Sequence, residues 1–541
     1  MHIFLFCKKY LLQYKLILIS YITIIFITAV VSITIPYIIG DFLDALVYDG
    51  DVSAIIRFSL IFAGLNIIRI IKGFISSRMY VYMQAHMSYS LNMDTLRRVQ
   101  NFSLTYINKN DSAYLSQRIN SDSGEIIIFC ITVLQNILSN LTMLILPFII
   151  LLFINWPIAI LLSIFLGAYI LLYFLFRKPL FNVNLSYKES QNKFFASIFE
   201  QLKYAKLIKI NSVQREINKR ASSRFIELKN SAMSRQKISY IHSGMDGIIS
   251  TVAQIVLFVV GGIQVLNGNF TIGMFTVFSS YFNMMMSSSR YFFNLGAAYQ
   301  QVSVAYNRLS DIHNYEQESI GSEIINDIKQ IELKDVKFSY DGLNYPQCFN
   351  AKFDKGKLYA IVGKNGAGKT TLINLIIGMY IDEYIGEVFY DGTNIKNIEM
   401  IKARRELIGF AEQEPFLVKD SILYNITFND AGALESSDKA RMNRIVDILN
   451  MKEFISKHDA EFTINEKNTN TSGGEKQKIS ILKVLYRNPS VMIFDEPTSA
   501  LDIQTATKFI SYLNEIKANK IIVIVSHDEF IIKHCDRVFE I

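Results

Sequence analysis

A phosphate-binding loop is the part of the sequence best equipped for chemistry. Residues 363–370 read Gly-Lys-Asn-Gly-Ala-Gly-Lys-Thr, which fits Gly-x-x-x-x-Gly-Lys-[Ser/Thr]. In such a loop the backbone N–H groups surround nucleotide phosphates, Lys369 reaches the β/γ oxygens and Thr370 ligates Mg²⁺. A strand-like apolar run precedes the loop and a run of helical composition follows it. The sequence predicts a strand–loop–helix unit that binds and splits ATP, with these phosphate-site residues: Gly363, Lys364, Asn365, Gly366, Ala367, Gly368, Lys369, Thr370 and Thr371.

Further motifs accompany this loop in a fixed order. An apolar run, 491–494, leads directly into Asp495 and Glu496. Other short runs flank this pair: Ser472-Gly473-Gly474-Glu475-Lys476-Gln477 before it, and Ser499-Ala500-Leu501-Asp502 and Ser526-His527 after it. The ordered set resembles the ATP-binding cassette (ABC) family over roughly residues 329–541. The resemblance implies an α/β P-loop ATPase domain there, with ATP as substrate and Mg²⁺ as metal ion.

The resemblance assigns a role to each matched residue. It implies that Asp495 holds the metal, that Glu496 is the general base for the attacking water, and that His527 is the switch histidine near the γ-phosphate. A base beside a metal-binding carboxylate, at the end of a buried strand, is also what hydrolysis needs on chemical grounds. The same resemblance gives metal sensing to Gln413 and adenine stacking to Tyr340. The remaining implied nucleotide contacts are Ser472, Gly473, Gly474 and Asp502.

The signature run departs from the family pattern at two positions. Thr471 stands where the family usually has Leu, and Glu475 stands where it usually has Gln. Ser472 and Gly474, the groups expected to touch phosphate, are both present. We therefore expect a competent signature, and the sequence leaves open how Thr471 and Glu475 alter the rate.

The composition indicates a membrane protein. Hydrophobic residues make up 51% of the 541 residues, and the mean hydropathy is +0.25, which is too apolar for a soluble chain. The net charge of +7 comes without a compact basic stripe, so no nucleic-acid partner is expected. The cysteines lack paired spacing, which argues against a zinc site or a disulfide framework and predicts reduced, packed thiols: Cys7, Cys130, Cys348 and Cys535.

Apolar stretches predict six membrane-spanning helices. A helix needs about 20 apolar residues to cross the hydrocarbon layer. The first stretch is longer than the core of a signal peptide and lacks a small-residue cleavage site, so we expect it to remain in the mature chain. The six predicted spans are 16–40, 53–76, 131–154, 157–176, 246–266 and 271–293.

Charge placement predicts the orientation. Lys8, Lys9 and Lys15 precede the first span, whereas the loop 41–52 carries Asp residues and neither Lys nor Arg. The turn at Asn155-Trp156 is uncharged. The two long connections between spans hold many positive residues and so face the cytoplasm, together with both termini: Arg78, Arg97, Arg98, Lys109 and Arg118 in one, and Arg177, Lys178, Lys203, Lys206, Lys209, Arg215, Lys219 and Arg220 in the other.

The long connections are helical in composition, which predicts that the helices continue into the cytoplasm as extended arms. This arrangement resembles the six-span ABC exporter, with Gln117–Asp122 in the first arm and 196–217 in the second. The predicted fold is an all-α six-helix exporter domain joined to an α/β P-loop ATPase domain. The expected boundaries are 1–310 for the membrane domain, 311–328 for a polar linker and 329–541 for the ATPase domain.

Polar residues inside the spans have two interpretations each. Arg69 and Lys72 either extend to the inner interface or line a watery cavity. Met284–Phe292, rich in Met, Ser and aromatic residues, suits either a surface for varied cargo or plain helix packing. The interhelical polar candidates, which serve either packing or cargo, are Gln135, Asn136, Asn140 and Gln254.

These features predict an ATP-hydrolysing half-transporter in a bacterial cytoplasmic membrane. One chain has one cassette, so we expect it to pair with a second copy or a related half-transporter within the lipid bilayer. The expected cargo is hydrophobic or amphipathic, with a modified or antimicrobial peptide as first choice and a lipid flippase or multidrug exporter as the alternatives. An ATP-switched channel or sensor is a further alternative, which Glu496 disfavours. Because the segment before the first span is short, we expect no peptidase domain there.

Overall fold

The computed structural model forms two compact units from interleaved parts of the chain. The first unit comprises Met1–Arg98 and Ser112–Tyr315, and the second comprises Val99–Asp111 and Glu316–Ile541. The predicted domain limits at 310 and 328 stay predictions. The structure describes residues 2–49, 52–340, 343–344, 348–364, 366–428, 436–457, 463–465, 470–499 and 501–541.

The first unit is all-helical. Its apolar sequences form long helices because, in an apolar setting, a helix satisfies its own backbone hydrogen bonds. Two π-helical turns, Ala45–Asp49 and Arg118–Asp122, extend α2 and precede α6. In chain order, with α4 belonging to the second unit, the helices are α1 (His2–Gln13), α2 (Lys15–Asp44), α3 (Val52–Gln100), α4 (Leu104–Lys109), α5 (Ser112–Gln117), α6 (Ser123–Lys203), α7 (Ala205–Asn211), α8 (Gln214–Leu266) and α9 (Ile272–Asn314).

Helix α6 is broken once, at the turn predicted from the sequence. Asn155 has φ −157° and ψ 96°, outside the helical region. Its side-chain Oδ1 accepts a hydrogen bond from the Ile158 backbone N–H at 3.2 Å, as a helix N-cap does. Pro157 follows in the first turn, where its missing N–H costs nothing. The helix is therefore interrupted at the Asn155-Trp156 step, where the sequence predicts a turn.

Five helical segments of the described chain are long and apolar enough to cross a membrane. They overlap each of the first five predicted spans. The predicted sixth span lies within α9, which is 43 residues long but is not among the five, because Asn283 and Ser287–Ser289 dilute its apolar character. The five segments are Lys15–Tyr48, Ile55–Gln100, Leu115–Leu161, Ser163–Lys203 and Gln214–Leu266.

One face of α9 packs into the core of the first unit. Tyr281 is buried, and its hydroxyl donates to the Ile33 backbone carbonyl of α2 at 2.8 Å. Met285 and Ser288 are only 3% and 1% exposed. Their burial in this unit therefore supports the packing interpretation of these two residues rather than the cargo interpretation. Ser287, on the opposite face, is exposed.

The second unit is an α/β structure with two sheets. The central sheet has the order β10-β4-β9-β8-β7 with all its pairings parallel, and the second sheet is antiparallel, in the order β2-β1-β5-β6 with β3 also on β1. The strands are β1 (Gln330–Tyr340), β2 (Leu343–Asn344), β3 (Phe349–Asp354), β4 (Lys357–Val362), β5 (Tyr384–Tyr390), β6 (Thr393–Asn394), β7 (Ile408–Ala411), β8 (Val491–Asp495), β9 (Ile521–Val525) and β10 (Arg537–Glu540).

Helices cover the central sheet, so its inner strands are buried on both faces. All five residues of β9 are buried, as a continuous Ile/Val run predicts for a parallel strand. The helices of this unit after α4 are α10 (Lys369–Ile376), α11 (Met400–Glu406), α12 (Ile422–Thr427), α13 (Ser436–Ile448), α14 (Lys452–Lys457), α15 (Gly473–Arg487), α16 (Ile503–Ile516) and α17 (Glu529–Lys533).

The short segment around α4 is part of the second unit although it comes early in the chain. Phe102 is only 3% exposed, and Leu104 packs against the apolar core around β1 and β5. The Thr105 hydroxyl donates to the Glu383 carboxylate. The backbone N–H of Glu318 donates to the Asn101 carbonyl at 2.9 Å. The ATPase unit is therefore built from two separate stretches of sequence.

Candidate functional site

The predicted ATP-site motifs meet at one edge of the central sheet. The phosphate loop follows β4, Gln413 follows β7, Asp495 ends β8 and His527 follows β9. These four strands are parallel neighbours, so their carboxyl ends lie at the same edge. Ligands of open parallel sheets bind at that edge.

The phosphate loop has the backbone conformation that its glycines allow. Gly366 and Gly368 have φ of 82° and 94°, values that residues with a side chain rarely adopt. Gly368 immediately precedes α10, whose first residue is Lys369. The Lys369 ammonium donates to the Gly363 carbonyl at 2.7 Å and is hydrogen-bonded to Nε2 of His527. The loop therefore presents a cation and a helix N-terminus together, as phosphate binding requires.

Two adjacent carboxylates lie beside this cation. Burial and, after it, the charge of Glu496 raise the pKa of Asp495 to about 6, although Lys369 opposes the shift. The Glu496 carboxylate lies 3.6 Å from Nε2 of His527. The structure thus brings Lys369, Glu496 and His527 into one group with Asp495 next to it. This arrangement of a carboxylate, an imidazole and a cation fits the predicted roles of general base and phosphate-binding group.

The donor atoms at this edge suit a magnesium ion. Thr370 offers a hydroxyl, Asp495 a carboxylate and Gln413 an amide oxygen, and Mg²⁺ prefers oxygen ligands. When bound with ATP, the ion would neutralise charge on the β- and γ-phosphates. Both Thr370 and Gln413 are exposed in the unit, so their side chains are accessible to a nucleotide.

The signature serine begins helix α15 in a reciprocal cap. The Ser472 hydroxyl accepts from the Glu475 N–H at 3.2 Å, and a Glu475 carboxylate oxygen accepts from the Ser472 N–H at 2.7 Å. Glu475 therefore fits this helix start as a capping-box residue. Ser472 and Gly473 are exposed and Gly474 is half-buried, so the start of α15 is accessible.

Asp502 has a comparable capping role. Its carboxylate accepts from the Thr505 backbone N–H at 2.9 Å and from the Thr505 hydroxyl at 2.8 Å, at the start of α16. These two bonds hold the pKa of Asp502 below its usual value. Its predicted nucleotide contact stays a prediction.

Two predicted site residues lie outside what the structure describes: Asn365 and the side chain of Tyr340. The remaining loop residues are accessible. Lys364 and Gly366 are exposed, and Ala367 and Thr371 are half-buried next to the strand end.

The structure also identifies two residues to which the sequence assigned no role. Gln477, on α15, donates from its amide to the Glu496 carbonyl at 2.7 Å. The Ser499 hydroxyl lies 3.0 Å from the same carbonyl and 3.2 Å from the Gln477 amide oxygen. Both residues stand inside motifs visible in the sequence, but only the fold shows that they meet at Glu496. Through Gln477, the helix that starts at the signature is joined to the carboxylate group.

Comparisons with known proteins agree with this geometry. The family model described as ABC transporter transmembrane region matches residues 18–289, and the model described as ABC transporter matches residues 347–499. A solved structure of a bacterial Atm1-family ABC exporter with ATP bound aligns with a TM-score of 0.84 at 17% identity, over 97% of this chain and 94% of that one. That likeness shows the exporter fold.

Named relatives are similar over much of this chain. An ATP-dependent lipid A-core flippase of Vibrio vulnificus (strain YJ016) is 25% identical over 89% of this chain and 83% of its own length. The lactococcin-G-processing and transport ATP-binding protein LagD of Lactococcus lactis subsp. lactis is 26% identical over 69% of this chain and 53% of its own length. The ABC transporter B family member 1 of Dictyostelium discoideum is 25% identical over 95% of this chain, which spans 57% of that protein.

The membrane-region match alone covers half of the chain, and the ATPase match lies in the unit that holds the phosphate loop. The chain binds ATP and couples its hydrolysis to transport through a helical membrane domain. It belongs to the ABC transporter family and has the fold of an ABC exporter.

Proposed function

We propose that this chain is a half-transporter that works as a homodimer and exports an amphipathic cargo across a bacterial cytoplasmic membrane. The observation that carries the proposal is the group of Lys369, Asp495, Glu496 and His527 at one sheet edge. A phosphate-binding cation, a metal-binding carboxylate and a base are all present in a chain that also carries the membrane helices. A sensor that only binds ATP has no need of the base.

Pairing of two copies is supported by surfaces that one chain leaves open. The signature serine faces outward from α15, as the resemblance requires if it is to complete the phosphate site of a second chain. Helix α7 buries none of its residues, and Leu207 and Ile210 are 57% and 70% exposed. Exposed apolar side chains on a short helix are typical of a protein-contact surface.

The orientation follows from charge. Lys and Arg are concentrated in the long connections, including Lys206 and Lys209 of α7, whereas the connection 267–271 between α8 and α9 is uncharged. By the positive-inside rule, this distribution supports cytoplasmic termini. Several of the similar proteins are bacterial, which supports a cytoplasmic membrane as the location.

An amphipathic cargo is supported by polar contacts between two apolar helices. The Gln254 amide of α8 donates to the Asn283 side-chain oxygen of α9 at 3.2 Å, and Asp246 of α8 pairs with Arg290 of α9 at 3.0 Å. Polar and charged groups in membrane spans mark cargo paths or helix contacts. A peptide is our first cargo class, supported by the transport protein LagD. A lipid is the second, equally supported by the flippase relatives.

Purified protein in liposomes tests the proposal. We expect Mg²⁺-dependent ATP hydrolysis, stimulated by the transported class: an amphipathic antimicrobial peptide added outside inside-out vesicles, or a fluorescent lipid whose transbilayer movement is followed by dithionite quenching. The variant Glu496→Gln is the control for both. ATP hydrolysis without movement of either class would leave the ATPase but remove the exporter assignment for those cargoes. No hydrolysis at all would remove the proposed function.

A further inference from the structure

The backbone of Glu496 is in an unusual conformation. Its φ is 48°, in the left-handed region that residues with a side chain seldom adopt. The next residue is Pro497, and a residue before proline normally prefers extended backbone. The direction of the carboxylate depends on this conformation, so the groups that hold the backbone also aim the side chain.

Hydrogen bonds hold this backbone on both sides. On one side the Glu496 N–H donates to the Val525 carbonyl of β9 at 2.9 Å, which continues the parallel sheet by one step. On the other side the Glu496 carbonyl accepts from the Gln477 amide at 2.7 Å. Ser499 approaches the same carbonyl with its backbone N–H at 3.2 Å and its hydroxyl at 3.0 Å.

The burial and the hydrogen bonds of Gln477 fit this contact. It is only 3% exposed, and a buried amide needs partners for both of its ends. Its nitrogen donates to Glu496, and its oxygen accepts from the Ser499 hydroxyl at 3.2 Å. The hydroxyl has one proton to give, so it serves either Gln477 or the Glu496 carbonyl at a given moment. The three residues form a closed network around one carbonyl.

We infer that Gln477 is a positioning residue for ATP hydrolysis, which fixes the backbone of Glu496 and thereby aims its carboxylate, with Ser499 holding the Gln477 amide in place. The inference rests on the proposed role of Glu496 as the base. Gln477 lies on α15, whose first turn carries the signature. A displacement of α15 therefore reaches the base of the same chain through one side chain.

The test removes the Gln477 amide while keeping the volume of the side chain. Gln477→Met keeps a side chain of similar size and loses both polar ends. We expect kcat for ATP to fall about 10–100-fold, because a misplacement of about 1 Å costs up to that much, while the KM for ATP stays within about twofold. Gln504→Met, an exposed glutamine on α16, is the matched control and should change neither constant.

A second pair of variants covers the case in which Gln477→Met does not fold. Ser499 is exposed, so Ser499→Ala should fold normally and lower kcat about 2–10-fold, and Ser499→Thr should restore it because the hydroxyl returns. Equal kcat for Ser499→Ala and the unaltered protein, or failure of Ser499→Thr to restore the rate, would contradict the inference.

Combination with the base variant separates positioning from general damage. If Gln477 acts through Glu496, adding Gln477→Met to Glu496→Gln should lower the residual rate by less than about twofold. An equal loss in both backgrounds, or normal kcat for Gln477→Met alone, would overturn the inference while leaving the role of Glu496 intact. Normal hydrolysis by Glu496→Gln itself would instead remove the proposed base.

Discussion

Glu496 combines a strained backbone conformation with its proposed role as the general base. A left-handed conformation in a residue with a side chain costs on the order of 1–3 kcal/mol and persists only where neighbouring groups enforce it. Here the enforcing groups are Val525 on one side and Gln477 and Ser499 on the other. Their hydrogen bonds contribute roughly 0.5–1.5 kcal/mol each, which is enough to offset the strain.

Removing the charge of this residue tests its role directly. Glu496→Gln keeps the shape and the backbone but cannot accept the proton of the attacking water. We expect ATP turnover to fall by about 10²–10⁴-fold while nucleotide binding is retained. Phosphate release and binding of a fluorescent ATP analogue give the two quantities, and a turnover close to that of the unaltered protein would mean that another group is the base.

Lys369 should affect binding rather than the chemical step alone. Its ammonium sits at the loop, against the Gly363 carbonyl and His527. Lys369→Ala removes this cation, so we expect the affinity for ATP to fall by at least about tenfold, the loss of one charge-assisted hydrogen bond of roughly 1.5–3 kcal/mol. Lys508→Ala, at an exposed position on α16 outside the phosphate loop, is the control. Equal affinities for all three proteins would place Lys369 away from the phosphates.

For individual residues, the sequence predicted those that belong to recognisable motifs. It did not predict residues whose role depends on a contact made only in the folded chain. The strand–loop–helix unit follows from glycine spacing, and the structure places it at the sheet edge. The network at the Glu496 carbonyl was not predictable, because a hydrogen bond to a backbone carbonyl leaves no pattern of residue types. Met285 and Ser288 show the converse case, since a Met- and Ser-rich run has the same composition whether it packs or faces cargo.

At the scale of elements, an ion pair holds the segment that follows α9 against the second unit. Arg404 of α11 makes two hydrogen bonds of 3.1 Å to the Glu318 carboxylate and another of 2.8 Å to the Gly378 carbonyl, just beyond α10. The side chains of Arg404 and Glu318 are 22% and 13% exposed. The backbone of Glu318 in turn binds the Asn101 carbonyl before α4. Glu318 and Arg404 together thus join residue 318, the segment before α4 and the end of α10 within the second unit.

Breaking this pair should loosen the linker more than the active site. With Arg404→Gln we expect the free energy of unfolding of the ATPase unit to fall by about 1–3 kcal/mol, because a half-buried carboxylate loses its partner, and we expect faster protease cleavage around 316–323. Glu318→Gln should give a similar loss, and the double variant should lose less than the sum. Additive losses would show that the two side chains act independently.

The helices were largely predictable because their apolar runs exceed the length that a span needs. The break at Asn155 was readable too, since an uncharged Asn-Trp-Pro step between apolar runs predicts a turn. The sixth span is the informative case. Its inner face is buried in protein, so it tolerates Asn283 and several serines and loses the simple apolar signal.

At the scale of the whole molecule, the charge asymmetry predicts a topology that labelling can check. A single cysteine at Asn269, in the turn between α8 and α9, should react with an impermeant thiol reagent applied to intact cells, whereas one at Lys206 of α7 should not. Both belong in a background without Cys7, Cys130, Cys348 and Cys535. Permeabilised cells provide the control, in which both positions should react. Labelling of position 206 from outside would reverse the orientation.

The class of both units was predictable, whereas the partition of the chain between them was not foreseen. A single early helix, α4, belongs to the unit whose remaining residues begin at Glu316. Composition carries no signal for this, because a short helical segment such as Leu104–Lys109 reads like any other part of a cytoplasmic arm.

The presence of residues 99–111 in the ATPase unit affects the order in which the chain folds. During synthesis Phe102 and Leu104 leave the ribosome before any strand of the sheet they pack against, and domains generally fold as units in the order of their synthesis. The ATPase unit therefore cannot complete its core until a segment made on the order of tens of seconds earlier is captured, and by then that segment is flanked by helices already destined for the bilayer. Completion of the nucleotide-binding core thus depends on a segment that lies between long apolar helices in the chain, and removal of the Phe102 and Leu104 side chains would leave that core incomplete.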